Sequence, residues 1–214
     1  MAKQFFFRRN NFLRKDTNGY YNRDYTGFNQ PDNPNFLNIL KNTFNRTAVY
    51  TLDQAKQDVQ IILLDDIPGI MRDNELRNCV CVCIPRAKAL VTYTPNQLFF
   101  RDAVSNAVSQ MTGVIDGSDF IVRHTNTRTT HLPETTGRVA TTGQVSENDG
   151  ELPYPGITKE TCRINSAQIC NQNIILIDDI YTNGVNIDED CIQALLDTGA
   201  GNVIFYAIAY TRRH

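Results

Sequence analysis

Hydrophobic positions along the chain follow two rhythms. Between Leu52 and Leu64, apolar side chains at Leu52, Ala55, Val59, Ile62 and Leu63 recur in helical steps, which predicts a helix with one buried face. Asp53 stands near its start, where a carboxylate complements the helix dipole. Val80–Ile84 is a short unbroken apolar run ended by Pro85, the pattern of a strand buried on both faces. Helical spacing returns over Pro95–Met111, with Leu98, Ala103, Val104, Ala107 and Val108 available for packing and Gly113 as a stop signal. Phe120–Val122 is a short strand, and Ile174–Ile177 a buried one. A helix over Val185–Leu196, with Gly199 beyond its end, leads to a last buried strand at Val203–Ala209. This alternation predicts an α/β fold with a mainly parallel central sheet flanked by helices.

Two stretches break the pattern. Residues 1–48 are rich in Asn, Tyr, Phe and Arg, show little periodicity and carry turn chemistry at residues 29–34. The expected organisation is therefore an arm or hood-like region over 1–60 and an α/β domain over 61–214. In the arm, Phe5–Phe7, Phe12, Tyr20, Tyr21 and Tyr25 interleave with Arg8, Arg9, Arg14, Lys15 and Arg23, as in single-strand nucleic-acid binders. Packing of these aromatics against the domain or a second subunit is the favoured expectation. The second stretch, His124–Thr158, is polar and holds Gly137, Gly143, Gly150 and Gly156. Loops of that length are rarely passive connections.

Composition narrows the classes. A net charge of −2 supplies no bulk attraction to nucleic acid or anionic membrane. No apolar run approaches the roughly 18–20 residues of a membrane span. Phe5–Phe7 precede Arg8 and Arg9, the reverse of a signal peptide, so a cytoplasmic location is expected. Of the six cysteines, Cys79, Cys81 and Cys83 alternate on one strand, poor geometry for closing a zinc tetrahedron. They read as small buried hydrophobes. Neither G-x-x-x-x-G-K-[ST] nor G-x-G-x-x-G occurs, which argues against a P-loop NTPase or a dinucleotide-binding dehydrogenase.

The chemistry concentrates at residues 173–186. Four apolar residues, Ile174–Ile177, precede Asp178 and Asp179; Ile180, Tyr181, Thr182, Asn183, Gly184, Val185 and Asn186 then lead into a helix. Ligands of open α/β sheets bind outside the carboxyl ends of strands. A helix start presents free N–H groups to a phosphate, Thr182 adds a hydroxyl, and Gly184 permits close backbone approach. Adjacent carboxylates repel phosphate but suit the vicinal hydroxyls of a sugar or a Mg²⁺ ion. The segment thus offers a phosphate cradle beside a diol clamp, as ribose 5-phosphate requires. Ile61–Gly69 repeats the apolar run and the acid pair, at Asp65 and Asp66, but lacks the Thr/Gly loop. Pro68 also disfavours a helical residue 67, and this copy reads as structural.

On these residues the chain resembles the type I phosphoribosyltransferase family, and its Asp-Asp-Ile-Tyr-Thr start looks most like the competence-associated ComF-like branch. The resemblance covers roughly residues 79–211. It implies a type I phosphoribosyltransferase-like sheet with a long flexible loop. Asp178 and Asp179 would hold the ribose hydroxyls of 5-phosphoribosyl-1-pyrophosphate (PRPP), and Ile180–Asn186 its 5-phosphate. Asn183 and Asn186 stand where the family has threonines, so two hydroxyls are exchanged for amides. The family's pyrophosphate loop maps onto Arg86, Ala87 and Lys88 after the first core strand. Its flexible loop maps onto the long polar stretch, with Arg123 and His124 as catalytic candidates and Arg128, His131 and Arg138 beyond them. Mg²⁺ would arrive on the diphosphate, with Asp178 and Asp179 as the available protein ligands. The implied reaction moves 5-phosphoribosyl to a nucleobase-like nitrogen acceptor, in a chain expected to be a homodimer. The alternative is a regulator that senses PRPP or a nucleotide without chemistry, and could bind nucleic acid through its arm.

Overall fold

The structure, a computed structural model, describes residues 1–27, 30–128, 157 and 160–212. Along these residues the elements run β1 (Lys3–Phe7), β2 (Thr17–Tyr25), α1 (Asn35–Lys41), α2 (Val49–Asp73), β3 (Cys79–Cys83), α3 (Phe99–Val108), β4 (Val114–Gly117), β5 (Ile121–Arg123), β6 (Cys162–Ile164), α4 (Ser166–Ile169), β7 (Asn173–Tyr181), α5 (Ile187–Asp197) and β8 (Asn202–Thr211). Six strands form one sheet in the order β1-β2-β8-β7-β3-β4. Every neighbouring pair is parallel except β1 with β2. The chain is therefore an α/β protein with a mainly parallel, mixed central sheet flanked by helices.

The apolar runs build the middle of that sheet, and strand alternation divides them between two cores. Ile175, Ile177, Ile204, Tyr206 and Ile208 face α1, α2 and α3, together with Cys79, Cys81 and Cys83. Ile174, Leu176, Val203 and Phe205 face α5 and the β5–β6 ribbon. The three alternating cysteines are free thiols buried on one face.

Three expectations change. Residues 1–48 do not lie apart from the sheet: β2 pairs in parallel with β8, and β1 closes that edge. Position 60/61, where the sequence reading divides the chain, falls inside α2. Phe5 and Phe7 pack on Tyr181 and Phe205 with ring centroids 5.0–6.3 Å apart. Their packing partners are distant in sequence, so no local period marks them. Second, the place beside β3 belongs to Val114–Gly117, too short and polar to register as a strand. The expected strand near Phe120–Val122 is instead β5, paired antiparallel with β6. Third, α2 runs through Pro68. Proline deprives the Leu64 carbonyl of its helical donor, but Leu64 lies on the exposed side where water can serve. Burial of Leu63, Ile67, Ile70 and Met71 holds the helix together across the break.

Asp65 and Asp66 consequently sit in the helix interior, away from any strand end. Asp66 is 1% exposed and accepts bonds from Tyr206 Oη at 2.7 Å and Asn22 Nδ2 at 2.7 Å. Tyr206→Phe removes one donor to a buried carboxylate, which costs about 1–3 kcal/mol. Urea unfolding at pH 7 should show that loss without a change in slope.

Candidate active site

Parallel pairing aligns the carboxyl ends of β3 and β7. Val82 stands opposite Leu176 and Cys83 opposite Ile177, and Ile84 N–H donates to Ile177 O at 3.0 Å. The segments that leave the two strands therefore emerge side by side and line a cleft of about 620 Å³. Of the residues singled out in the sequence, Arg86, Ala87, Lys88, Asp178, Asp179, Ile180, Thr182 and Val185 line it. Tyr25, Leu40, Lys41 and Thr43 close one wall, so the N-terminal 60 residues contribute to the cleft directly. Thr92, Tyr93, Gln97, Thr127, Asp188 and Thr211 complete the polar lining with Arg128, one of the cations expected from the long polar stretch.

The two acids point to opposite faces of β7, as successive strand residues must. Asp179 accepts the Ile180 N–H at 2.7 Å and lies 3.7 Å from Lys41 Nζ on the helical side. Asp178 turns toward Asp188 in the first turn of α5, and the two carboxyls perturb each other. Burial, and then the neighbouring Asp179 charge, pushes the Asp178 carboxyl up to about 7. Asp188 is 1% exposed and pushed up by burial and by Asp178. Burial also raises Glu189, which accepts from Tyr181 Oη at 3.3 Å.

The cations of the cleft have protein partners. Arg86 Nη1 donates to Gln97 O at 2.6 Å, and its guanidinium lies 4.6 Å from the Tyr93 ring centroid. Lys88 Nζ donates to Thr127 O at 3.2 Å. The planar fork of arginine carries further donors beside the one used here.

The loop after β7 is built on left-handed backbone. Gly184 has φ 84° and Asn186 φ 68°. A branched threonine resists positive φ, whereas asparagine tolerates it. Asn186 Nδ2 donates to Gly184 O at 3.2 Å and secures the turn, which gives the amide at this position a conformational reason. Thr182 Oγ1 is 2.7 Å from Thr211 Oγ1 at the end of β8.

Not every expected residue reaches the cleft. Tyr181 is buried among Phe5, Phe7, Phe205 and Tyr210 on the α5 face of the sheet. Asn183, Gly184 and Asn186 lie in the loop but outside the lining. Arg123 is 2% exposed, and its Nε donates to Arg86 O at 2.8 Å. His124 is exposed, with Nδ1 3.0 Å from Thr125 Oγ1. Neither lines the cleft, because β5 ends behind the Arg86–Lys88 segment. Residues 129–156, with His131 and Arg138, lie outside the described residues.

Lys41, Asp188, Thr211 and Tyr93 were not foreseen. Asp188 carried a signal, as an acid in the first turn of a predicted helix; Lys41 and Thr211 arrive only through tertiary pairing. Among the described residues, no group of three His, Cys, Asp or Glu side chains is arranged to hold a metal ion, and no helix is long and apolar enough to cross a membrane. No family model matches the chain, and no curated protein matches its sequence.

The Asp178 shift makes a stability prediction. Its pKa rises from 3.8 unfolded to about 7 folded, so its favourable contribution is complete below pH 4 and is lost as pH rises to about 7. Asp178→Asn keeps a neutral, hydrogen-bonding group. The variant's melting temperature relative to wild type should be higher at pH 8 than at pH 4.5 in scanning calorimetry. A difference independent of pH would contradict the shift.

Proposed function

We propose that the cleft binds PRPP and that the chain is a phosphoribosyltransferase with a type I phosphoribosyltransferase-like sheet. One observation carries this reading. A basic segment, Arg86-Ala87-Lys88, after β3 and an acid pair, Asp178-Asp179, near the carboxyl end of the neighbouring parallel strand β7 meet in one cleft. Its volume of about 620 Å³ suits a small ligand, given the usual range of roughly 300–1,000 Å³. A diphosphate needs cations, and a ribose diol needs carboxylate acceptors. The two sets stand on opposite sides of the β3–β7 boundary, as the two ends of PRPP require.

In this proposal Asp178 and Asp179 hold the ribose hydroxyls. Of the segment Ile180–Asn186, the residues that line the cleft, Thr182 foremost, hold the 5-phosphate, and Arg86, Ala87 and Lys88 hold the diphosphate. The acceptor, a nucleobase-like nitrogen compound, would sit against Tyr25, Leu40, Lys41 and Thr43. Mg²⁺ fits a set of hard oxygen donors in which protein carboxylates supply at most two and the diphosphate the rest. Bound there it would neutralise the leaving diphosphate. The residues lower the barrier by fixing the sugar and stabilising the departing charge, so no protein nucleophile is required. A cytoplasmic homodimer is part of the same proposal.

A second reading, ligand sensing without turnover, has its own support. Asn183 and Asn186 replace hydroxyl donors, and the first turn of α5 carries Asp188, Glu189 and Asp190. Ionised acids at a helix start oppose a phosphate there.

Calorimetric titration of PRPP with Mg²⁺ tests the shared element. Wild type should bind, and Asp178→Asn/Asp179→Asn should bind at least about tenfold more weakly, roughly 1.4 kcal/mol. A folded wild type that does not bind PRPP would sink both readings. Release of pyrophosphate with a panel of nucleobases then separates enzyme from sensor.

A further inference from the structure

We infer that Arg123 is a positioning residue whose buried guanidinium, together with Asn126 and Thr127, turns the Arg86–Lys88 backbone so that the Ala87 N–H faces the cleft. This deepens the proposed function and rests on it for the identity of the anion.

Five contacts between described residues join the segment after β3 to the end of β5 and the segment that follows it. Arg123 Nε donates to Arg86 O at 2.8 Å. Thr127 donates twice to Ala87 O, through its N–H at 2.8 Å and its hydroxyl at 3.0 Å. Asn126 Oδ1 accepts the Ala89 N–H at 2.8 Å, and Thr127 O accepts Lys88 Nζ at 3.2 Å. Arg123 is among the largest fully buried side chains of the protein. Desolvating a guanidinium is expensive, and it is tolerated where the group is held by acceptors. Asp190 and the Cys162 thiol lie within its electrostatic reach, and Asp190 also accepts the Ile157 N–H at 2.9 Å.

Peptide geometry gives the consequence. The unit is planar and trans, so a C=O and the following N–H point in opposite directions. Arg86 O and Ala87 O both turn toward the β5 side. The N–H groups of Ala87 and Lys88 must therefore turn away from it. Lys88 N–H meets Tyr93 Oη at 3.0 Å. Ala87 N–H has no hydrogen-bond partner among the described residues, and Ala87 lines the cleft. A fixed backbone donor between two cationic side chains suits a diphosphate oxygen. Arg123 thus acts on the ligand through Arg86 and never touches it.

The test uses the full chain, with inorganic pyrophosphate plus Mg²⁺ and, separately, ribose 5-phosphate as calorimetric probes. Arg123→Met that stays folded should bind pyrophosphate about tenfold more weakly and keep its affinity for ribose 5-phosphate. Arg123→Lys should recover part of the loss. Equal pyrophosphate affinity in folded Arg123→Met and wild type overturns the inference. If Arg123→Met does not fold, Thr127→Val and Asn126→Ala decide it by the same comparison. If wild type binds neither probe, the reading of the cleft fails, and hydrogen exchange judges the positioning role alone. The Lys88 and Ala89 amides should then exchange faster in the folded variants while β3 and β7 stay protected. Unchanged exchange removes the role.

Discussion

Parallel pairing of β3 with β7 is the constraint on which the rest of the molecule turns. The ladder that sets Cys83 against Ile177 leaves both chains emerging at the same edge of the sheet. The chemistry-bearing residues lie at that edge, Arg86 to Lys88 after β3 and Asp178 to Thr182 at the end of β7. Parallel strands need both faces covered, and the two cores supply that cover with α2 and α3 on one side and α5 on the other. A slip of one residue in this register would exchange the faces of Asp178 and Asp179 and dissolve both of their partnerships.

Those partnerships show how the protein tolerates charge near its core. Lys41 reaches Asp179 from the last turn of α1, at an exposure where solvent still screens the pair. Asp178 faces Asp188 instead, and burial with the neighbouring Asp179 charge pushes its carboxyl up. Arg123 is buried against carbonyl oxygen and the nearby Asp190. Each charge is balanced by a group from a different element, which ties α1, α5 and β5 to the cleft. The aromatic cluster does the same work on the α5 face. Phe5 and Phe7 lie on Tyr181 and Phe205, which fastens the N-terminal strands to the sheet that carries the acids.

Much of this was legible in the chain. The unbroken apolar runs at Val80–Ile84, Ile174–Ile177 and Val203–Ala209 specify buried strands, because only parallel central strands hide both faces. The spacing over Leu52–Leu64 specifies a helix, and the acids and glycine after Ile177 mark a ligand-facing loop. Such signals are local: each depends on residues within one turn or one strand. For the same reason the two copies of the apolar run followed by two acids could be told apart by the loop that follows. Asp66 ends in the interior of α2 beside Tyr206, while Asp178 and Asp179 border the cleft.

What the chain alone determined was the list of elements and the residue types available for phosphate and sugar chemistry. Pairing across long separations decided the remainder. Tyr25, Lys41 and Thr43 reach the cleft only because β2 lies beside β8, some 180 residues later in the chain. Val114–Gly117 is a strand only because β3 offers it a ladder. Arg123 reads as a loop cation in sequence, and it becomes a buried support because β5 turns back behind the Arg86–Lys88 segment. Periodicity reports whether a side chain is buried, since burial of one face repeats along an element. It carries no record of which neighbour does the burying, because that depends on contacts whose sequence separation has no period.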